Sequence, residues 1–429
     1  MKIAVTGLWH LGLVTAGCLA NAGYEVVAYD PDKTLIADLK NAKTPIMEPG
    51  LDDMLAACAA NNTLSYTADP EQLKNVDIVW VTYDTPVNDE DEADVQYVTD
   101  QVKSFFPYLA SNTIVILSSQ LPVGTGRSLQ QAYQANYANH VTFVSIPENL
   151  RLGNAIRIFT QPDRIIVGLQ EQKDKAVIET LLSPFSSNII WMGLESAEMT
   201  KHALNAFLAT SVTFINELSI LCEKVGANAN EVEKGLKSEE RIGAKAYVRP
   251  GGAIGGGTLL RDINYLNQLG SRVNEPTHLF ASILKSNHYH KNWVNRKLKS
   301  ILSDMKNKTV GVLGLTYKSS TDTLRRSTSV DLCQALANEG VTIFAFDPAI
   351  KSIPDDMASF INLKTSIQEA ISKVDGVLIL TEWPQFRELT AEIFLGEVSH
   401  PLIIDPTAYL AQTLGNDARI QYHSVGRAS

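Results

Sequence analysis

The chain has 429 residues, 45% of them hydrophobic and 20% charged, with a formal net charge of -10. That length suits two or three domains with full-sized cores, and the acidic balance argues against an extended nucleic-acid footprint. It leaves room for a nucleotide ligand whose phosphates are held by backbone amides and a few local cations.

In chain order, Lys2-Ile3-Ala4-Val5 opens as a buried strand and not as a signal peptide. A helix is predicted over 11–22. The run Tyr24-Glu25-Val26-Val27-Ala28-Tyr29-Asp30 is a second strand that ends in an acid, completing one βαβ start. Apolar strands at 78–81, 113–117, 141–144 and 165–167 alternate with helical stretches, which implies a mostly parallel sheet covered on both faces. The acidic run 89–92 is expected as a surface loop. From Glu195 to Val225 an apolar 3.6-residue period runs without proline or internal glycine, a helix long enough to join domains and supply an oligomer interface. His288-Tyr289-His290 and the basic run 296–299 are expected as a solvated helix end. A second βαβ pattern follows at 309–315 and 341–347, with strands at 376–380 and 402–404.

The predicted fold class is therefore α/β, two Rossmann-like doubly wound domains joined by a helical domain with a long central helix. The expected divisions are 1–190, 191–300 and 301–429, with an active site near the strand C-termini. Four scattered cysteines, Cys18, Cys58, Cys222 and Cys333, lie in apolar contexts without zinc spacing and are expected as structural thiols in a reducing compartment. No apolar run approaches the roughly 20 residues of a membrane span, so a cytoplasmic protein without membrane contact is expected.

Gly7-Leu8-Trp9-His10-Leu11-Gly12 sits where a Gly-x-Gly-x-x-Gly loop belongs, between strand and helix. Gly7 permits the tight turn, and Gly12 permits close helix–strand packing. Trp9 stands in place of the middle glycine that lets the backbone approach a pyrophosphate. Asp30 is placed to accept ribose hydroxyls and favours NAD, because it would repel a 2′-phosphate. The alternative is a dinucleotide scaffold that has lost its cofactor.

The segment 249–262, Arg-Pro-Gly-Gly-Ala-Ile-Gly-Gly-Gly-Thr-Leu-Leu-Arg-Asp, resembles the active-site loop Gly-Phe-Gly-Gly-Ser-Cys-Phe-Pro-Lys-Asp of the UDP-glucose/GDP-mannose dehydrogenase family. Thr258 stands where that family has its catalytic cysteine, with Gly257 for Ser, Leu260 for Pro and Arg261 for Lys. Other motifs carry the resemblance along nearly the whole chain: Pro45-Ile46-Met47-Glu48-Pro49-Gly50-Leu51, Leu121-Pro122-Val123-Gly124-Thr125, Pro147-Glu148-Asn149-Leu150-Arg151, and Glu198-Met199-x-Lys201-x3-Asn205. Near the C-terminus Gly314-Leu315-Thr316-Tyr317-Lys318-x2-Thr321-Asp322-x2-Arg325 is similar to a further family motif, whereas the family's Asp-Gly-Arg-Asn has become Asp405-Pro406-Thr407-Ala408.

The resemblance implies NAD as cofactor, a nucleotide-sugar substrate with a UDP-sugar favoured, and a homodimer. It implies catalytic roles for Lys201, Asn205, Asp262, Glu148 and Thr258. Cofactor contacts are implied for Gly7, Trp9, His10, Leu11, Gly12, Asp30, Thr85 and Gln120, the last in place of a family threonine. Substrate contacts are implied for Glu148, Leu150, Arg151, Lys201, Arg241, Gly255, Gly256, Lys318 and Arg325, with residues 381–383 as further candidates. No metal is expected. Four-residue spacing sets Lys201 and Asn205 one helical turn apart, which suits handling a hydroxyl proton and holding its oxygen. A lysine base would call for burial or neighbouring positive charge.

Family members oxidise a sugar alcohol twice, the second time through a covalent adduct on the thiol. Three readings stay open for a chain without it. One is a single two-electron alcohol/carbonyl step, and the second is double oxidation through a hydrated aldehyde aided by Glu148 or Asp262. The third is a catalytically silent nucleotide-sugar-binding regulator.

Overall fold

A computed structural model describes residues 1–88, 93–255, 257–397 and 401–427. The acidic run 89–92 and Gly256 lie outside the described residues. The chain folds as two compact units, 1–204 and 205–429.

In the first unit the strands are β1 (Lys2–Thr6), β2 (Glu25–Tyr29), β3 (Leu64–Thr67), β4 (Ile78–Val81), β5 (Ile114–Leu117), β6 (Thr142–Ser145), β7 (Ile165–Gly168) and β8 (Ile189–Met192). They form one sheet in the order β3-β2-β1-β4-β5-β6-β7-β8. Every pairing is parallel except β6 with β7, which meet antiparallel at Ser145 and Gly168. Side-chain alternation fills both faces: Ile3, Val5, Val26 and Ile78 pack into one core, and Ala4, Val79, Val81 and Val115 into the other. The reversal of strand order between β1 and β4 is the switch point where doubly wound sheets open a crevice.

The predicted strands are present to within a residue or two, whereas β3 and β8 were not anticipated. Both are edge strands and only partly buried: Leu-Ser-Tyr-Thr is of mixed polarity, and Ile-Ile-Trp-Met is apolar but four residues long and half-exposed.

The helix Leu194–Val225 carries the chain from the first unit into the second. It holds an 18-residue window of mean hydropathy 1.3, 39% buried, which by length and composition alone could cross a membrane. The expectation that nothing approaches a span is corrected to that extent. Buried His202, Asn205, Asn216 and Ser219 interrupt the same helix, and the first three are hydrogen-bonded to other segments.

The second unit continues through the helices Thr258–Val273, His278–Lys291 and Trp293–Leu302. A parallel sheet follows, from β9 (Thr309–Leu313), β10 (Thr342–Phe346), β11 (Asn362–Leu363), β12 (Gly376–Ile379), β13 (Leu402–Ile404) and β14 (Gln421–His423). Its order, β11-β10-β9-β12-β13-β14, repeats the winding of β3 to β6 around β1.

The helix end expected to be solvated is not so throughout. His288 and Tyr289 are exposed, but His290 is 4% exposed and its Nε2 lies 2.8 Å from the Gly251 carbonyl. Burial pushes the His290 pKa down, so the ring is neutral and donates from Nε2.

Candidate active site

The loop after β1 is shaped by two glycines. Gly7 has φ +90°, and a Cβ there would come within 2.6 Å of Tyr83, which follows β4. A Cβ on Gly12 would collide with the Gly7 carbonyl oxygen, so the helix His10–Asn21 can approach β1 only with glycine there. Trp9 caps that helix with φ -95° and is 45% exposed, so its backbone needs no glycine and its ring does not fill the loop. Leu11 is buried in the core side of the helix.

Asp30, at the end of β2, accepts the Leu8 amide on Oδ2 (2.9 Å) and the Asp32 amide on Oδ1 (3.0 Å), and it stays half-buried with lone pairs to spare. The second unit repeats the device with a different outcome. Gly314 has φ +96° and abuts Thr381, and Asp347 at the end of β10 is 2% exposed. Asp347 accepts the Leu315 and Thr316 amides, the Thr316 hydroxyl, the Ala349 amide and the Trp383 indole. There the acid is consumed by its own loop. Asp30 is not.

Several motif residues turn out to be clamps. Glu48 is 5% exposed and accepts the Gly153 and Ala155 amides at 2.7 and 2.8 Å, while His10 Nε2 lies 2.8 Å from it. Glu198 accepts the amides of Gly124 and Gly126 and thereby caps the helix Thr125–Asn136. Burial raises the Glu198 carboxyl above the ordinary range, with those two amides opposing. Thr85 donates to the Gln120 carbonyl at 2.7 Å.

Lys201 is held by Glu148, a contact that the spacing to Asn205 did not foretell. Its Nζ donates to the Glu148 carbonyl at 2.5 Å and lies 3.6 Å from the Glu148 carboxylate, with the lysine side chain 11% exposed. The neighbour is an acid, not the positive charge that a lysine base would call for. Glu148 also receives the Leu150 amide at 2.5 Å. Gln120, Glu148, Glu198, Lys201 and His202 line a small cavity of about 20 Å³ in the first unit. Arg151 is exposed nearby in sequence.

In the second unit Asn205 donates its side-chain amide to Asp262, which is wholly buried. Asp262 lies one turn along the helix Thr258–Val273 from Thr258, which opens that helix and is exposed. The glycine-rich segment before it is bolted down. Asn216 accepts the Gly251 amide and donates to the Gly252 carbonyl, and Asn287 brackets Ile254 in the same two-sided way.

A hollow of about 730 Å³ is lined by this segment together with Lys237, Lys245, Tyr247, Arg249, Glu382 and Thr407. Arg249 was missed as a site residue, although it opens the quoted segment. Its guanidinium donates to the Thr407 carbonyl (2.9 Å) and lies 3.4 Å from Glu382. Of the candidates 381–383, Glu382 alone lines the hollow, since Thr381 donates to the Thr316 carbonyl and Trp383 serves Asp347. Gly255 also lines it, whereas Arg241 is exposed and bonded to Glu239. Lys318 Nζ stands 5.5 Å over the Tyr317 ring, and Arg325 is exposed.

No cysteine can replace a thiol at 258. All four are buried, and burial pushes the Cys18 and Cys333 thiols up to about 12. Among the described residues no three His, Cys, Asp or Glu side chains converge as a metal site.

Two sheets of the same winding and a glycine turn answered by an acid with lone pairs to spare define a dinucleotide-binding protein. The chain belongs to the UDP-glucose/GDP-mannose dehydrogenase family: residues 1–186 match its NAD binding domain, 195–289 its central domain and 311–412 its UDP binding domain. It is 34% identical over 430 residues to UDP-glucose 6-dehydrogenase TuaD of Bacillus subtilis (strain 168), covering 99% of this chain and 93% of that protein. It is 33% identical over 436 residues to the UDP-glucose 6-dehydrogenase of Rhizobium meliloti (strain 1021), covering 100% of both. The structure of a UDP-glucose dehydrogenase from the hyperthermophilic archaeon Pyrobaculum islandicum superposes with a TM-score of 0.90 at 25% identity, covering 100% of this chain and 98% of that one. The chain is thus an NAD-dependent nucleotide-sugar dehydrogenase acting on a CH–OH group. The turn at Gly7 and Gly12, the outward Trp9 and the spare lone pairs of Asp30 fit that cofactor.

Proposed function

We propose that this dehydrogenase carries out one two-electron step between an alcohol and a carbonyl on a UDP-sugar, with UDP-glucose the first substrate to try. The observation that carries this reading is Thr258: an exposed hydroxyl opens the helix where the family resemblance puts the thiol, and every cysteine is buried elsewhere. Bound NAD supplies the hydride acceptor. Lys201, fixed on Glu148, orients the water that takes the hydroxyl proton, and Asn205, fixed on Asp262, holds the oxygen. Glu148, Leu150, Arg151, Arg241, Gly255, Gly256, Lys318 and Arg325 are assigned to the nucleotide-sugar, with Arg249 added. The divisions 1–190, 191–300 and 301–429 then serve cofactor binding, dimerisation and nucleotide binding, in a cytoplasmic enzyme.

The test is to mix the purified protein with NAD and a panel of UDP- and GDP-sugars and to count NADH formed per sugar consumed. Two NADH per sugar would replace the one-step reading with oxidation of a hydrated aldehyde. Binding without any NADH would leave a silent regulator.

The cofactor assignment places the pyrophosphate over residues 7–12, with contacts from Trp9, His10 and Leu11, and the adenosine ribose on Asp30. Thr85 and Gln120 border the same cofactor. Calorimetry should show NAD binding that Asp30→Ala weakens about 10- to 100-fold, the scale of a charge-assisted hydrogen bond. No NAD binding, with or without nucleotide-sugar, would sink the assignment.

For assembly, we propose a homodimer through the helix Leu194–Val225. Phe207, Phe214 and Leu221 recur every seven residues along it and are 72%, 49% and 61% exposed, an apolar stripe that suits a second copy. Light scattering at micromolar concentration should give twice the 47.0 kDa chain mass, and a monomer would refute the proposal.

A further inference from the structure

Beside Thr258 the glycine-rich segment is pressed against residues 326–328. A Cβ on Gly255 would stand 3.1 Å from Thr328 Cγ2, and a Cβ on Gly257 would overlap the Arg326 guanidinium, meeting Nη1 and lying 3.4 Å from Cζ. The serine that the family resemblance places at 257 could not coexist with this arginine in its present position. Arg326 itself takes φ +58°, a left-handed conformation uncommon for a long side chain, and is only half-buried. The bare backbone at Gly257 and the arginine are therefore one steric unit: absence of a side chain at 257 admits a cation to the residue next to 258.

From this we infer that Arg326 is a substrate-orienting residue, donating guanidinium N–H bonds to an oxygen at the reacting end of the sugar. Gly257 is the positioning residue that admits it. A guanidinium is a directional, permanently charged donor that cannot act as a base, so its part is to hold and polarise an oxygen and not to move a proton. It offers a non-covalent hold at the place where a thiol would have offered a covalent one. The inference rests on the proposed reading in taking residue 258 as the reacting end.

The test is a double-mutant cycle on the full-length protein with Arg326→Ala, Gly257→Ser and both together. Each is assayed for NADH formation and for calorimetric binding of UDP-glucose and of NAD, with melting temperature as the check on folding. Arg326→Ala should lower kcat/KM for the nucleotide-sugar about 10- to 100-fold, as expected for a lost charged hydrogen bond, and leave the KM for NAD unchanged. Gly257→Ser should cause a loss of similar size by displacing the guanidinium. The double variant should be no worse than Arg326→Ala alone. Added guanidinium ion should restore part of the Arg326→Ala loss, and Arg326→Lys, folded like the parent, should fall between the two.

Additive losses, unchanged kcat/KM in Arg326→Ala, or equal damage to NAD and nucleotide-sugar without guanidinium rescue would overturn the inference. If the parent protein makes no NADH yet binds UDP-glucose in an Arg326-dependent way, the proposed reaction fails and this subsite stands. Turnover indifferent to Arg326 gives the converse.

Discussion

Replacing Lys201 by alanine is expected to lower turnover by roughly 100-fold or more, the usual scale for a lost acid–base participant. The lysine is not a surface side chain that happens to share a helix with Asn205. Its ammonium is tied to the Glu148 carbonyl at 2.5 Å, stands 3.6 Å from the Glu148 carboxylate and is 11% exposed. A side chain ordered this far has already given up its rotamer freedom in the resting protein, so little reorganisation is left for the reaction. The carbonyl and carboxylate beside it fix where its N–H groups point, which suits a donor that orients water. Lys201→Arg is the informative companion: it keeps the charge but replaces a compact ammonium with a planar fork, and it should recover little. Turnover is followed by NADH absorbance at saturating substrate, with melting temperature measured alongside. Unchanged turnover in a folded Lys201→Ala protein would remove this residue, and the pairing with Asn205, from the mechanism.

The second large effect is one of stoichiometry. The parent protein should form one NADH per sugar and release a carbonyl that hydroxylamine traps. Aldehyde oxidation in the resembling family relies on a thiolate to capture the first product, whereas a threonine hydroxyl is essentially un-ionised at neutral pH and needs a dedicated base to act as a nucleophile. Asp262, one turn along the helix, already accepts the Asn205 amide and is wholly buried. Thr258→Cys should regain part of the second oxidation, detected as uronic acid and as NADH beyond one per sugar. Recovery is expected to be incomplete, because Gln120, Gly257, Leu260 and Arg261 also depart from the family pattern. Two NADH and no trappable aldehyde from the parent protein would overturn the one-step reading.

Much of this architecture was legible from local signals. Apolar runs such as Ile78-Val79-Trp80-Val81, a glycine at a strand end and an acid closing the next strand suffice for both doubly wound sheets, because each signal has a local physical cause. Edge strands escape that logic: β11 is two residues long and β14 is Gln-Tyr-His, so neither carries a buried apolar pattern. The site was legible only as residue types. That Glu48 and Glu198 spend their carboxylates on the amides of Gly153, Ala155, Gly124 and Gly126 depends on partners 72 to 107 residues away. His290 was misplaced for the same reason, since its helix mixes exposed His288 and Tyr289 with a ring that meets Gly251, 39 residues distant. Arg249 and Arg326 carried no signal in the sequence, and only the hollow and the bare Gly257 backbone gave each a location.

The burial of all four cysteines, with an alcohol standing exposed at residue 258, also bears on chemical durability. A dehydrogenase that works through an exposed thiolate carries its own weak point, because peroxides and alkylating agents seek the same electron-rich sulfur that the reaction needs. In this chain the cysteine thiols sit beneath packed side chains and the exposed hydroxyl has no comparable oxidation chemistry. The folded protein therefore offers such electrophiles no exposed thiol, and how fast its thiols react is set by how often the cores open.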